Sequence, residues 1–292
     1  MHKKIQKIIL IAVALSAFLS LAITASAGRW LAMEQREEYK SGGDLYTNGT
    51  LLKKKNEKTI YYIHQGKKLR VPHSVLQSSL KNKQIIEVPL NKFLDQYEYG
   101  GVLTHRMGTL VQEKGSNTVY KISRDDKKQA IPSYAIFRDL GYKIENVNLT
   151  PTGEMGYYKT AKNITATGMH TDGDLVSFED AVYVVQDKEL YHIANPFIFQ
   201  SYGFEWSNVL LINYKEFQAY KYIKTLPYAE GALIRAKGAV AIYIIENNQK
   251  RNFESGEVFT NLGYQFKNIL DLPQNEFNKI KTGRSMGFKD IE

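Results

Sequence analysis

An internal repeat of about 60 residues constrains this chain more than any other feature, because copies of one small unit must bury their core against one another. Four copies align by their openings, Gly49-Thr50-Leu51, Gly108-Thr109-Leu110, Gly173-Asp174-Leu175 and Gly231-Ala232-Leu233, separated by 59, 65 and 58 residues. Each continues with a β-branched residue and a tyrosine: Ile60-Tyr61, Val119-Tyr120, Val182-Tyr183 and Ile242-Tyr243. Phe137, Phe199 and Phe259 are followed four residues on by Gly141, Gly203 and Gly263. Five residues further stand Asn146, Asn208 and Asn268, and eight beyond those stand Glu154, Glu216 and Glu276. The first copy diverges, keeping Gln84 and Lys92 at the spacing of eight but carrying Gln77 in place of phenylalanine. Terminal units of repeat arrays commonly diverge in this way.

The pattern predicts an α+β protein of four similar units, each a three-stranded antiparallel meander with two short helices. Leu110-Val111, Val119 to Ile122 and Ala130-Ile131 have the composition of strands. Polar pairs at Gln65-Gly66, Asp125-Asp126, Gln186-Asp187 and Asn247-Asn248 suit hairpin turns. Ser133, Asn195 and Ser255 stand where a first helix would be capped, and Asn213 with Glu216 has capping-box spacing for a second. The shared tyrosines Tyr61, Tyr120, Tyr183 and Tyr243 sit among apolar residues and are expected to pack between units. Linear stacking and ring closure both remain open; a compact, propeller-like array is favoured because closure removes exposed sheet edges. The expected divisions are 49–107, 108–172, 173–230 and 231–292.

Residues 1–27 read as a signal peptide: Lys3, Lys4 and Lys7 precede an uncharged run from Ile8 to Ala27 that ends in Ala25-Ser26-Ala27. The rival reading is an uncleaved membrane anchor. Residues 28–48 read as a linker. The chain has no cysteine, so disulfides, thiolate metal sites and cysteine nucleophiles are excluded. Of 39 Lys+Arg against 30 Asp+Glu, the excess is concentrated in the first copy. Between residues 49 and 92 lie Lys53, Lys54, Lys55, Lys58, Lys67, Lys68, Arg70, Lys81, Lys83 and Lys92, opposed by Glu57 and Glu87 alone.

Gly231-Ala232-Leu233-Ile234-Arg235, Ile242-Tyr243-Ile244-Ile245 and Val258-Phe259-Thr260-Asn261-Leu262-Gly263-Tyr264 resemble tandem repeats of about 60 residues found in exported bacterial surface and cell-wall proteins. In those repeats the third strand ends in Ile-Pro or Val-Pro before Ser or Thr. Val71-Pro72 and Ile131-Pro132-Ser133 agree, while Ile193-Ala194 and Phe253-Glu254 depart. The resemblance covers most of the chain after residue 27 and implies location and a non-catalytic accessory role, with no catalytic set to carry over.

Phosphate-binding G-x-x-x-x-G-K-S/T, G-x-S-x-G and H-E-x-x-H patterns are missing from the sequence. His64, His73, His105, His170 and His192 show no repeated spacing and read as strand or loop surface residues, and Glu154, Glu216 and Glu276 read as helix-capping groups. His170-Thr171-Asp172-Gly173-Asp174 is dense in potential cation ligands, but an ordinary polar loop is the preferred reading, so no metal or cofactor is expected. The leading functional candidates are Lys53, Lys54, Lys55, Lys67, Lys68 and Arg70, placed on the expected first and third strands to bind an anionic ligand. The partners expected at an envelope are an anionic cell-wall polymer or glycan, then a membrane surface, with nucleic acid ranked lower. Tyr97 with Tyr99, Tyr157 with Tyr158, and Tyr220 with Tyr222 could stack on sugar rings, although packing between copies is preferred. The leading reading is a secreted, cell-surface-associated, non-catalytic binding or scaffolding module. The alternatives are a carbohydrate-active hydrolase using paired carboxylates, or an extracellular nucleic-acid-binding protein.

Overall fold

The computed structural model describes residues 46–287, apart from residues 82, 89–91 and 166–168. The expected signal peptide and nearly all of the expected linker lie outside the described residues, within which no helix is long and apolar enough to cross a membrane.

The protein is α+β, with four similar five-stranded mixed sheets and few, short helices. In the first sheet β1 (Leu51–Lys54), β2 (Ile60–His64) and β3 (Lys67–Arg70) form an antiparallel meander. The helix His73–Ser79 then carries the chain across the sheet, so β4 (Ile85–Val88) joins β1 in parallel. A second short helix, Lys92–Asp95, returns it, and β5 (Glu98–Val102) joins β3 in parallel. The other three sheets repeat this order. The expected three-stranded unit is therefore corrected to five strands: the meander is the middle of each sheet, and each helix crossover adds a parallel edge.

All four meander hairpins place both central turn residues at positive φ, the geometry whose twist matches paired strands. Three turns fall on the expected pairs. The third falls on Asp187-Lys188, one residue later than expected, because its strand Ala181–Gln186 runs on until Gln186 pairs with Glu189. Ser133, Asn195 and Ser255 cap their helices by accepting from the backbone N–H three residues on.

The sheets do not close into a propeller. Glycine turns join them in pairs: Gly49 lies against Glu230 and Gly231, linking the first sheet to the fourth, and Gly108 lies against Gly173, linking the second to the third. The first and fourth sheets share one core in which Leu52, Ile63 and Ile86 pack with Ile244, Val258 and Phe259. Third and fourth sheets share another, containing Val184, Phe199, Leu226, Ile234 and Leu272. Leu210 of the third sheet enters the core of the second beside Phe137 and Leu140. Tyr183 is buried, while Tyr61, Tyr120 and Tyr243 are partly buried against these cores.

Candidate functional site

The basic residues of the first sheet do not converge. Cross-strand register puts Lys54, Lys68 and Arg70 on the face of Leu52 and Tyr61, and puts Lys53 and Lys67 on the opposite face with Tyr62 and Leu69. Most are also neutralised locally. Lys53 pairs with Glu87 at 2.8 Å, Lys54 with Asp95 at 3.0 Å and Lys67 with Glu98 at 3.6 Å. Lys68 lies 3.8 Å from Asp95 and donates to the Leu94 carbonyl at 3.0 Å. Arg70 reaches the Tyr157 hydroxyl at 3.5 Å, and Lys55 is exposed. Asp95 and Glu98 stand just past residue 92, so a charge count ending there overstates the field of this sheet.

The same ion pair recurs at the far end of the chain. Arg235 occupies the position of Lys53 and Asp271 that of Glu87, and they bond at 2.7 Å. The corresponding residues of the second and third sheets are Gln112 with Leu149 and Ser177 with Leu211, and both leucines are exposed.

The histidine expectation needs correction. His105 and His170 both stand three residues before an opening glycine, where the first and fourth copies have Tyr46 and Tyr228. Each meets the glutamate of the copy it opens. His105 Nε2 lies 3.0 Å from Glu154 Oε1, with Nδ1 2.8 Å from Ser78 Oγ, and the same glutamate accepts from Ser74. His170 Nδ1 lies 2.8 Å from Glu216 Oε1, which also accepts from the His170 amide and the Tyr220 hydroxyl. Asn213 does cap its helix, but the Glu216 side chain turns to His170, so the capping role expected for these glutamates is replaced by a role in joining copies. Tyr97, Tyr158 and Tyr220 are buried with their hydroxyls on the backbone of Tyr46, His105 and His170. The expected packing role holds for these three, while Tyr99 and Tyr157 are exposed.

The His170–Asp174 segment splits its side chains among separate partners. Asp172 accepts from the Asp187 amide, whereas Asp174 accepts from buried Lys121 and from Tyr142. Desolvation lowers the pKa of Lys121, opposed by the charge of Asp174. Among the described residues no group of three or more His, Asp or Glu is placed to hold a metal ion.

The glutamate of the fourth copy has a different setting. Glu276 accepts from Asn195 Nδ2 at 2.9 Å and Lys279 Nζ at 2.7 Å, and Asn195 Nδ2 also lies 3.4 Å from the Tyr228 hydroxyl. These groups line a cavity of about 700 Å³ between the third and fourth sheets, together with the turn residues Asn247 and Asn248 and with Gln249. Glu276 is the one carboxylate on its wall, so the facing pair of acids needed for glycoside hydrolysis is not assembled there.

No family model matches this chain, and no curated protein matches it. Among solved structures, the chain is similar to one titled as the periplasmic assembly from the ESX-5 inner membrane complex, at 10% identity and a TM-score of 0.19, covering 63% of this chain and 61% of that one. A structure of an intact ESX-5 inner membrane complex is similar at 11% identity and a TM-score of 0.19, covering 61% of this chain and 52% of that one. The chain thus spans 61% and 52% of the lengths of these two structures, and a likeness at that TM-score carries no argument about fold or role.

Proposed function

We propose that this chain is an exported, non-catalytic repeat protein acting as a binding or scaffolding module at a bacterial cell envelope, with an anionic wall polymer or glycan as its partner. The observation that carries the reading is where the shared polar residues go. Glu154 and Glu216, which recur at one repeat position, are buried and bonded to His105 and His170 at the starts of their copies. Side chains held this way join units by satisfying one another's polar groups. The export-type pattern of residues 1–27 supports placement outside the cytoplasm, and the excess of cations in the first copy supports attraction to an anionic surface.

Sedimentation of the protein with isolated cell walls at rising salt tests this. The expected result is retention that exceeds that of an unrelated protein of equal net charge and weakens with salt. Equal retention by the two proteins overturns the reading. Neutralising Lys53, Lys54, Lys55, Lys67, Lys68 and Arg70 together should weaken retention if the first sheet makes the contact, and unchanged retention removes that sheet from the role.

A further inference from the structure

We infer that the joint between the second and third sheets is a pH-sensitive lock, closed while the His170 ring carries a proton on both nitrogens and loosened when one of them leaves. The inference is independent of the envelope reading above.

The partners of the ring fix how many protons it holds. His170 is buried, and its Nε2 lies 2.9 Å from the carbonyl oxygen of Leu140, the residue that ends the helix Tyr134–Asp139 of the second copy. A carbonyl can only accept, so Nε2 must carry hydrogen. On the other side Nδ1 lies 2.8 Å from Glu216 Oε1. That oxygen also accepts from the His170 amide at 2.7 Å, a donor whose hydrogen cannot be turned away, so it acts as an acceptor toward Nδ1 as well. An imidazole that donates from both nitrogens is the cation. Loss of either proton turns a lone pair toward a buried oxygen, and both bonds are kept only by keeping both protons.

His105 shows that the repeat position does not demand this by itself. Its Nε2 meets Glu154 at 3.0 Å, but its Nδ1 meets the Ser78 hydroxyl at 2.8 Å. A hydroxyl can donate or accept, so this ring satisfies both contacts whether neutral or charged. The first and fourth copies place Tyr46 and Tyr228 there, with no imidazole to titrate.

The groups packed around His170 leave the ring as the one that responds near neutral pH. Besides Glu216 they are Tyr220, 2.7 Å from that glutamate, and Tyr142, whose ring stands edge-on at 6.4 Å, with the Asp174–Lys121 pair beyond it. Burial holds both tyrosine hydroxyls far above the ordinary tyrosine range, and Asp174 and Lys121 compensate each other's charge. Imidazole is the side chain whose charge ordinarily changes between about pH 5 and 8. A closed joint that binds the proton gains population as pH falls and loses it as pH rises. Opening parts the Leu140 helix end of one unit from the His170–Glu216 side of the next.

Nitrogen–proton correlation spectra of the histidine rings in the full chain test this, recorded from about pH 5 to 9, across the imidazole range and beyond it. The His170→Gln variant identifies the signal by its loss. At the acid end the His170 ring should show hydrogen on both nitrogens. As pH rises it should lose one, and the Gly141 amide, whose peptide carries the Leu140 oxygen, should shift with the same midpoint. The parent's advantage in melting temperature over His170→Gln should shrink by several degrees toward the alkaline end. A ring in one protonation state at every pH, single or double, overturns the proposal, as does a proton lost with no shift at Gly141 or an advantage that stays constant. If His170→Gln fails to fold, the ring is identified in the parent by its proximity to Tyr142, and the spectra decide alone.

Discussion

Gly108 and Gly173 approach so closely that neither could carry a side chain: a Cβ on Gly108 would lie 2.1 Å from the Gly173 carbonyl oxygen, and one on Gly173 would lie 2.3 Å from the Gly108 nitrogen. Both residues are also at positive φ, 89° and 86°. Gly173→Ala should therefore combine backbone strain with a collision between two sheets and lower stability by more than about 2 kcal/mol. Gly115, at φ 85° with open space around its Cβ position, isolates the first effect, and Gly115→Ala should cost about 1 kcal/mol. Urea denaturation of the two variants checks this, and equal losses would show that the close approach contributes nothing.

Glu216 and Glu276 hold one repeat position in two environments, so the same substitution should have different costs. Glu216→Ala strands the His170 ring, the His170 amide and the Tyr220 hydroxyl in a buried site, and should lose about 3 kcal/mol or more. Glu276 lies in the cavity wall, its side chain 19% exposed, and Glu276→Ala should lose about 1 kcal/mol. Thermal melts that rank the variants in the opposite order would contradict the burial described above.

Lys121 and Asp174 form a buried ion pair between the second and third sheets, with side chains 0% and 3% exposed. Lys121→Met leaves Asp174 without its cation and should cost about 3–5 kcal/mol. Adding Asp174→Asn should recover part of that loss, because Tyr142 and the Thr171 amide can still bond to an amide oxygen. Chemical denaturation of a double-mutant cycle measures the coupling, and simple additivity would mean that the pair is not desolvated as described.

Lys83 makes stability at the first-to-fourth junction depend on pH. Its ammonium donates to the Gly49 and Glu230 carbonyls, and burial lowers its pKa from 10.5 to about 8, with Arg106 nearby acting in the same direction and Glu230 opposing. Between those two values the unfolded chain holds the proton that the folded protein has released, so raising pH favours the folded state. Relative to Lys83→Met, the parent should gain stability as pH rises from about 8 to 10.5. Melting curves that stay parallel across that window would remove the desolvated lysine from the account.

The middle of each sheet was legible because its signals are local. Ile60-Tyr61 and its counterparts are β-branched and aromatic, and the polar pairs after them can adopt positive φ. The edge strands were not legible: Lys159–Thr160 is two exposed residues, added to the sheet by a crossover and not by any alternation of its own. His105 and His170 lie three residues upstream of the opening glycines, where the first and fourth copies have tyrosine, so the repeat does not mark their position. The basic cluster was visible in sequence, but its division between two faces and its pairing with Asp95 and Glu98 depend on register. The cavity beside Pro227 draws its lining from Asn195, Asn248 and Lys281, residues far apart in sequence, so no local pattern marks it.

Because Leu52 and Ile63 of the first sheet are buried with Val258 and Phe259 of the fourth, neither unit presents a free stacking face at that junction. An open-ended row can grow or shrink by duplication or loss of a terminal unit without disturbing its middle. Here an inserted fifth unit would have to split an existing core, and removing the fourth would expose the apolar side of the first. Gaining or losing a unit at this junction therefore carries the cost of a disrupted core, which a row with free ends would not bear.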